Sequence, residues 1–384
     1  MISPCQHDMI EKLHVWQQPL ETHADQVTVS VTFEQSHKDR QKLWYRLPAA
    51  YARAITPSSD PFVLGMLHRA MLAHQDLVVH GEVSPTLLRN LEEYQRAWAL
   101  WLPKHYAPID IIADVEREQT PAPDGAIFTF SGGMDSAFTA WRHHKAMCGR
   151  RTRKLRAGIL VHGFDIPLAA ADTFANRLAH ARAMLSSLDM DVIPIATNLR
   201  QWGAEWFAMF GAGSASCLTL LQAGWNTGLI SSGPAYNHLL IPNGSNPVTD
   251  YLLSTGAFEI VHDGADARRV DKARALAEWM EARQHLRVCW QSDLYRNCGH
   301  CRKCVRTILE FRAVGAGLPE CFEQDASDWQ IVTRVSSAAE FDYLDAAYKT
   351  VKANRVKGSW VWALGAAVQI SRARRAAKKI VARE

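Results

Sequence analysis

Residues 126 to 141, AIFTFSGGMDSAFTAW, carry the reading on which the fold depends. The apolar run Ala126 to Phe130 has the length and composition of a buried strand, and Ala137 to Trp141 read as the first turns of a helix. Between them Ser131 to Ser136 (SGGMDS) form a Gly-rich turn. Strand, turn and helix in this order aim backbone N–H groups, two hydroxyls and a helix N-terminus at one point, which suits an anion and above all a phosphate chain. Gly132 and Gly133 allow a tight turn and close approach of the backbone to a ligand, and Ser131 and Ser136 can donate to phosphate oxygens. Asp135 is the odd member, because a carboxylate beside a triphosphate must cap the helix or meet a cation such as Mg2+. No Lys follows the second Gly and no GxGxxG is present, so neither the usual P-loop nor a dinucleotide fingerprint is indicated. An ordinary capped strand-to-helix turn is the competing reading of the same six residues.

Outward from this stretch, Leu155 to Val161, Val192 to Ala196, Leu229 to Ser232 and the strand within FEIVHD (258 to 263) alternate with helices at Leu168 to Leu188 and Trp206 to Gly224, the second broken at GAGSAS (211 to 216). The alternation predicts an α/β fold, a doubly wound parallel sheet whose ligands lie across the carboxyl ends of the strands. His162 and Asp165 follow the second strand, where an adenosine or its ribose would be reached. Asn198 and Arg200 follow the third, and Arg200 could neutralise charge developed during adenylyl transfer. The loop Gly233 to Asp250 crowds Asn237, His238, Asn243, Ser245, Asn246 and Asp250 together, either to read a heterocycle edge or to bond to itself. Arg269 and Lys272 lie three apart on one helix face and could hold phosphates or be solvated.

Residues 1–120 read as a smaller α+β accessory domain. Val27 to Phe33 and Leu43 to Leu47 are expected to form a hairpin, and helices are expected over Pro61 to His74 and from Pro85 to Trp101. The polar, Pro-rich EREQTPAPDG (116 to 125) is the expected linker, and in the simplest arrangement this first module stands outside the parallel sheet. His80 and Glu82 could line a cleft or be satisfied structurally.

The 384 residues are 48% hydrophobic and 21% charged, and the net charge of +4 (43 basic minus 39 acidic) makes no case for a global nucleic-acid coat. The N-terminus lacks the basic and apolar regions of a secretory signal and no run of 18 apolar residues occurs, so a cytoplasmic protein without a membrane segment is expected. Four of the eight cysteines, Cys289, Cys298, Cys301 and Cys304, follow Cys-x8-Cys-x2-Cys-x2-Cys. In a reducing compartment that spacing points to a tetrahedral Zn2+ with a structural role, an iron–sulfur cluster or no metal being the alternatives. The tail after Ile370 is basic (Arg372, Arg374, Arg375, Lys378, Lys379, Arg383), which suits an RNA, DNA or acidic protein partner or a solvated terminal helix. Trp360 and Trp362 lie on the same side if their stretch is a strand, and are expected to pack against the first module.

SGGMDS after an apolar strand resembles the SGGxDS pyrophosphate loop of the N-type ATP pyrophosphatases, the adenine nucleotide alpha hydrolase superfamily. By that match Ser131, Gly132, Gly133, Asp135 and Ser136 would contact pyrophosphate and Mg2+. Together with the cysteine spacing downstream, residues 126–315 resemble the 7-cyano-7-deazaguanine synthase family. The resemblance implies ATP-dependent adenylation of a 7-deazapurine carboxylate such as 7-carboxy-7-deazaguanine, then amidation by ammonia or nitrile formation, with AMP and pyrophosphate released. Cys289, Cys298, Cys301 and Cys304 match the family's zinc ligands, Arg306 matches a basic residue after the last Cys, and Lys272 is the plausible counterpart of a Lys before the helix. The implied organisation is the accessory domain over 1–120, a pyrophosphatase domain over 126–320 and a C-terminal extension with a basic terminal helix over 321–384. The two added segments are absent from housekeeping members and resemble those of anti-phage defence proteins. There the acceptor would be a protein or nucleic-acid amine, reached through the N-terminal domain or basic tail. A non-catalytic nucleotide-binding module and a homodimer are also compatible with the sequence.

Overall fold

One sheet of eleven strands runs through the chain as far as Asp263. The computed structural model describes residues 12–35, 40–202, 205–289, 296–337 and 340–381. The strands are β1 Lys12–Gln17, β2 Glu21–His23, β3 Gln26–Gln35, β4 Gln41–Pro48, β5 Asp76–Val83, β6 Ile111–Glu116, β7 Ala126–Thr129, β8 Leu155–His162, β9 Asp191–Thr197, β10 Thr227–Ser231 and β11 Glu259–Asp263. The helices are α1 Asp60–Ala73, α2 Pro85–Trp101, α3 Met134–His144, α4 Ala171–Ser186, α5 Leu199–Trp202, α6 Trp206–Thr219, α7 Arg269–Leu276, α8 Met280–His285, α9 Arg302–Ala313, α10 Asp328–Val335, α11 Phe341–Ala353 and α12 Ser359–Val381.

β11, β10, β7, β8 and β9 lie side by side in that order and all parallel. From β7 the chain steps outward to β8 and β9, then returns to the other side of β7 for β10 and β11. The reversal falls between β7 and β10, and at such a point the two exit loops splay apart and leave a crevice beyond the carboxyl ends of the strands. The residues immediately after β7 include SGGMDS, so the Gly-rich turn lies at this crevice. Side chains alternate along the strands: Ile127, Ile159, Ile193 and Ile230 join a core with α1, α2 and α6, while Phe128, Leu160, Val192 and Leu229 join a core with α3, α4 and α7 to α12.

The first module is part of the same sheet, contrary to the expectation from sequence. β4 pairs antiparallel with β9 through Tyr45–Thr197 and Arg46–Ala196, and β3, β1, β5 and β6 continue outward. The physical reason is the edge of β9, whose unpaired backbone groups need partners. Asn198 reinforces the seam, accepting from the Trp44 N–H at 3.0 Å and donating to the Lys42 carbonyl at 2.8 Å. His80 lies against His14 (3.0 Å) and Trp16 in a stack of rings, and Glu82 pairs with Arg117.

Two local expectations are also corrected. α6 runs unbroken through GAGSAS, because small residues here serve close packing: a Cβ on Gly211 would stand 1.9 Å from the Gly244 carbonyl oxygen. The tail forms the expected terminal helix, but Trp360 and Trp362 fall on that helix rather than on a strand and sit apart from the first module, with Trp360 beside the Arg312 guanidinium and Trp362 85% exposed. Arg374 donates to the Ser336 carbonyl and Arg375 pairs with Asp342, so two of the tail's cations bind α12 to the rest of the extension. The Lys379 side chain and Arg383 lie outside the described residues. Among the described residues no helix is long and apolar enough to cross a membrane.

Candidate functional site

The turn after β7 has the form its glycines allow. Gly132 adopts φ +74°, in the left-handed region that Gly enters without strain, and its carbonyl accepts the Arg287 N–H at 2.8 Å. Gly133 precedes the first residue of α3, Ser136 donates back to the Gly133 carbonyl at 3.2 Å, and the Ser131 and Ser136 hydroxyls are 3.4 Å apart. Arg287 stands two residues before Cys289, so a backbone bond ties the Gly-rich turn to the cysteine segment.

Asp135, in the first turn of α3, is the centre of a mostly buried ionic cluster. Lys272 from α7 donates to its Oδ1 at 2.8 Å and Arg269 Nη1 stands 3.3 Å from its Oδ2. Lys272 is itself fully buried and also donates to the Ser232 carbonyl at the end of β10, with its ammonium 5.8 Å from the Phe138 ring centre. Arg269 turns its Nε to Glu310 of α9 at 2.9 Å, and Glu310 lies near Arg306. Burial pushes the Asp135 carboxyl up, but Lys272 and Arg269 outweigh it and hold the group below the ordinary carboxylate range. Loop, α7, α9 and the end of β10 therefore meet at one carboxylate, at the crevice of the sheet.

The other candidates separate into those at the cluster and those used elsewhere. His162 stacks on Phe174 at 4.4 Å and bonds the Pro167 carbonyl, so it shapes the loop after β8. Asp165 in that loop is exposed and acts electrostatically on Lys303, which burial, Arg306 and Arg269 push down to about 8 while Asp165 and Asp135 oppose them. Arg200 donates to the Phe164 carbonyl at 2.7 Å and lies over the Trp206 ring, bracing the same loop. The polar loop Gly233 to Asp250 bonds largely to itself: Asn246 accepts from Val248 and Thr249, and Asp250 accepts from Ser245 and the Asn246 N–H and meets His262.

The four cysteines converge. The Sγ atoms of Cys289, Cys298, Cys301 and Cys304 lie within 4.8 Å of one another, with Cys289–Cys301 and Cys298–Cys304 both at 3.8 Å. A tetrahedral thiolate site with metal–sulfur bonds of about 2.3 Å has sulfur–sulfur edges of about 3.8 Å, so the donor set fits one four-coordinate ion. Gly299, at φ +72°, makes the turn, since a Cβ there would meet the Gln324 carbonyl at 2.5 Å. Buried Asn297, missed in the sequence, stitches the knuckle: its Oδ1 accepts from Val288 and Cys289 and its Nδ2 donates to Leu286 and Cys321. Cys301 then caps α9, which carries Lys303 and Glu310 to the Asp135 cluster. Lys303, Thr307 and Glu310 recur at helical spacing directly after the cysteines, and this was the available signal.

A second group, His143, Cys148 and Asp263, also has ligand atoms within 4.8 Å. The Arg153 N–H donates to His143 Nδ1 at 2.9 Å, leaving the ring proton on Nε2 to donate to Asp263. Arg142 stands 2.9 Å from the Cys148 sulfur, and its charge disfavours a cation there.

Scans of protein-family models, curated proteins and solved structures return no match to this chain.

Proposed function

We propose that the chain is an ATP-dependent adenylating enzyme of the N-type ATP pyrophosphatase kind, with 7-cyano-7-deazaguanine synthase chemistry. The observation that carries the proposal is Asp135, at the start of α3 and at the sheet's switch point, held by Lys272 and Arg269. A carboxylate in a Gly-rich turn, with two buried cations beside it, suits a triphosphate whose magnesium takes the carboxylate and whose oxygens take the cations. Mg2+ would supply charge neutralisation on the phosphates. Ser131, Gly132, Gly133 and Ser136 would bind the pyrophosphate end, and Lys272 and Arg269 would steady the charge it gains on leaving. A substrate carboxylate oxygen attacks the α-phosphorus and the bond to pyrophosphate breaks. An amine nitrogen then attacks the acyl carbon, AMP leaves with the electron pair, and the nitrogen loses a proton to give an amide. The four cysteines would hold Zn2+ with no open position, a structural role that fixes α9 against the cluster.

Purified protein with ATP, Mg2+, 7-carboxy-7-deazaguanine and ammonium is expected to form AMP together with the amide or nitrile, read by mass spectrometry. Asp135→Ala should abolish both products. AMP formation that survives this change would remove the site assignment, and wild-type protein that binds no ATP would favour a non-catalytic module.

A macromolecular amine is the second reading. Tyr236, Leu240, Ile241, Val248 and Tyr251, all within or beside the loop after β10, are 43% to 63% exposed. Apolar exposure of that extent beside the crevice suits a protein acceptor. Intact-mass spectra of co-expressed neighbouring proteins should then show a deazaguanine adduct, and spectra free of one would leave ammonia as the amine.

A further inference from the structure

Basic side chains gather in the seam between α4 and the segment that leads from α8 to Cys289. His180 of α4 and His285 of α8 meet through their Nδ1 atoms at 3.2 Å, and the positive charges of Arg177, Arg287 and Arg296 all act on His180. The seam adjoins the turn after β7: the Arg287 N–H bonds the Gly132 carbonyl at 2.8 Å, and a Cβ on Gly133 would stand 3.5 Å from the Arg287 carbonyl oxygen. Arg177, in the second turn of α4, is 8% exposed, yet its guanidinium has no hydrogen-bond or ion-pair partner among the described residues. Arg142, buried to the same degree, is held by both oxygens of Asp266, and Arg269 is held by Glu310 and Asp135. Glu281 acts on His285 and Glu323 pairs with Arg296, whereas the charges acting on Arg177 are Arg287 and the Cys289 sulfur. Burial and Arg287 push Arg177 down to about 9 while Cys289 opposes them, so the group is charged at neutral pH and held there at a cost.

We propose that Arg177 is a phosphate-binding residue: with Arg287 beside it, its guanidinium takes the oxygens of a phosphate-class anion in the seam beside the Gly-rich turn. The inference rests on the reading of that turn as the place of the nucleotide's phosphates, and adds a cation from α4 to those that α7 supplies. Two guanidinium groups without a carboxylate between them repel, and an oxyanion bound by both turns that repulsion into attraction. The planar fork of Arg177 matches two oxygens of one phosphate. The competing role is balance of the metal centre, since four thiolates around Zn2+ carry a net double negative charge. Arg287 suits that role, because all four cysteine sulfurs act on it. Arg177 suits it poorly, because Cys289 is the one sulfur that acts on it and no sulfur accepts a bond from it among the described residues.

The test uses the full-length chain and two probes measured by calorimetry, inorganic pyrophosphate and Mg2+ with α,β-methylene ATP, together with zinc content and the thermal midpoint without ligand. Arg177→Met is expected to weaken pyrophosphate about ten-fold or more, and Arg177→Lys, which keeps the charge and loses the fork, about three-fold. Zinc content should stay at the wild-type level and the midpoint of Arg177→Met should equal or exceed that of wild type, because a buried charge without a partner has been removed. A parallel fall for the ATP analogue assigns the anion to the nucleotide's own phosphates, and a fall for pyrophosphate alone assigns it to a free phosphate-class anion; either supports the proposal. Arg177→Met that binds both probes within about two-fold of wild type would overturn it, as would loss of zinc with a lowered midpoint, which makes Arg177 a support of the thiolate centre. Both of these results leave the adenylation reading intact. A wild-type chain that binds neither probe overturns that reading and the proposal with it.

Discussion

Replacing Lys272 by Met separates the ionic cluster from any assumption about ligands. Methionine keeps the unbranched stem, so the packing of this fully buried side chain changes little. What is lost is the charge on Asp135 Oδ1, at 2.8 Å, and the donor to the Ser232 carbonyl. Breaking a buried ion pair costs about 3 to 5 kcal/mol, but the Asp135 side chain is 27% exposed and retains Arg269, so water and the guanidinium recover part of that. With about 1 kcal/mol for the orphaned carbonyl, the expected loss is about 3 kcal/mol. The assay is urea unfolding at neutral pH followed by both tryptophan fluorescence and circular dichroism, with coincident transitions required. Adding Asp135→Asn to Lys272→Met should restore about 1 to 2 kcal/mol, because the uncompensated charge is gone. The pH dependence has a definite sign. Asp135 is held below its ordinary range, so its share of stability is present above the unfolded carboxyl value, about 3.9, and is lost as pH falls through the lower folded value. The gap between wild type and Lys272→Met should therefore be full at pH 7 and close in strong acid. A single variant within about 0.5 kcal/mol of wild type, or strictly additive effects in the double variant, would refute the reasoning.

Metal analysis of the purified chain is expected to find about one zinc ion per chain, and Cys301→Ala should lose the ion, because it removes one of the four converging thiols at the start of α9; if the proposed function holds, nucleotide binding weakens with it. Gly163→Ala should lower the thermal midpoint sharply, by a cost of about 3 kcal/mol or more, since its φ is +105° and the new Cβ would stand 1.9 Å from the Thr197 carbonyl oxygen. Asp263→Ala should cost about 2 to 4 kcal/mol in the same unfolding assay, because His143 and Thr139 both donate to this buried carboxylate.

Local pattern made part of the molecule legible from sequence. The strand, Gly-rich turn and helix at residues 126–141, the alternating elements that follow and the four-cysteine spacing each depend on neighbours along the chain, and each stands where the pattern put it. Arg269 and Lys272 could be placed on one helix face, but solvent or ligand was an open choice until Asp135 was seen between them. Arg200 and His162 show the limit from the other side. Both follow strands at the right end of the sheet, yet their side chains are spent on the Phe164 and Pro167 carbonyls, a choice made by which backbone groups the loop left unpaired.

What tertiary structure alone decided is pairing at long range. The antiparallel seam between β4 and β9 joins residues some 150 positions apart and makes one sheet of two modules expected to be separate. The packing of α11 against α7 and α9 likewise depends on contacts between distant segments. Residue type and period report which face of an element is apolar, because that depends on the local backbone repeat. They do not report which distant edge or face will meet it, because many edges and faces offer the same backbone groups and apolar area, and only the packed whole selects among them.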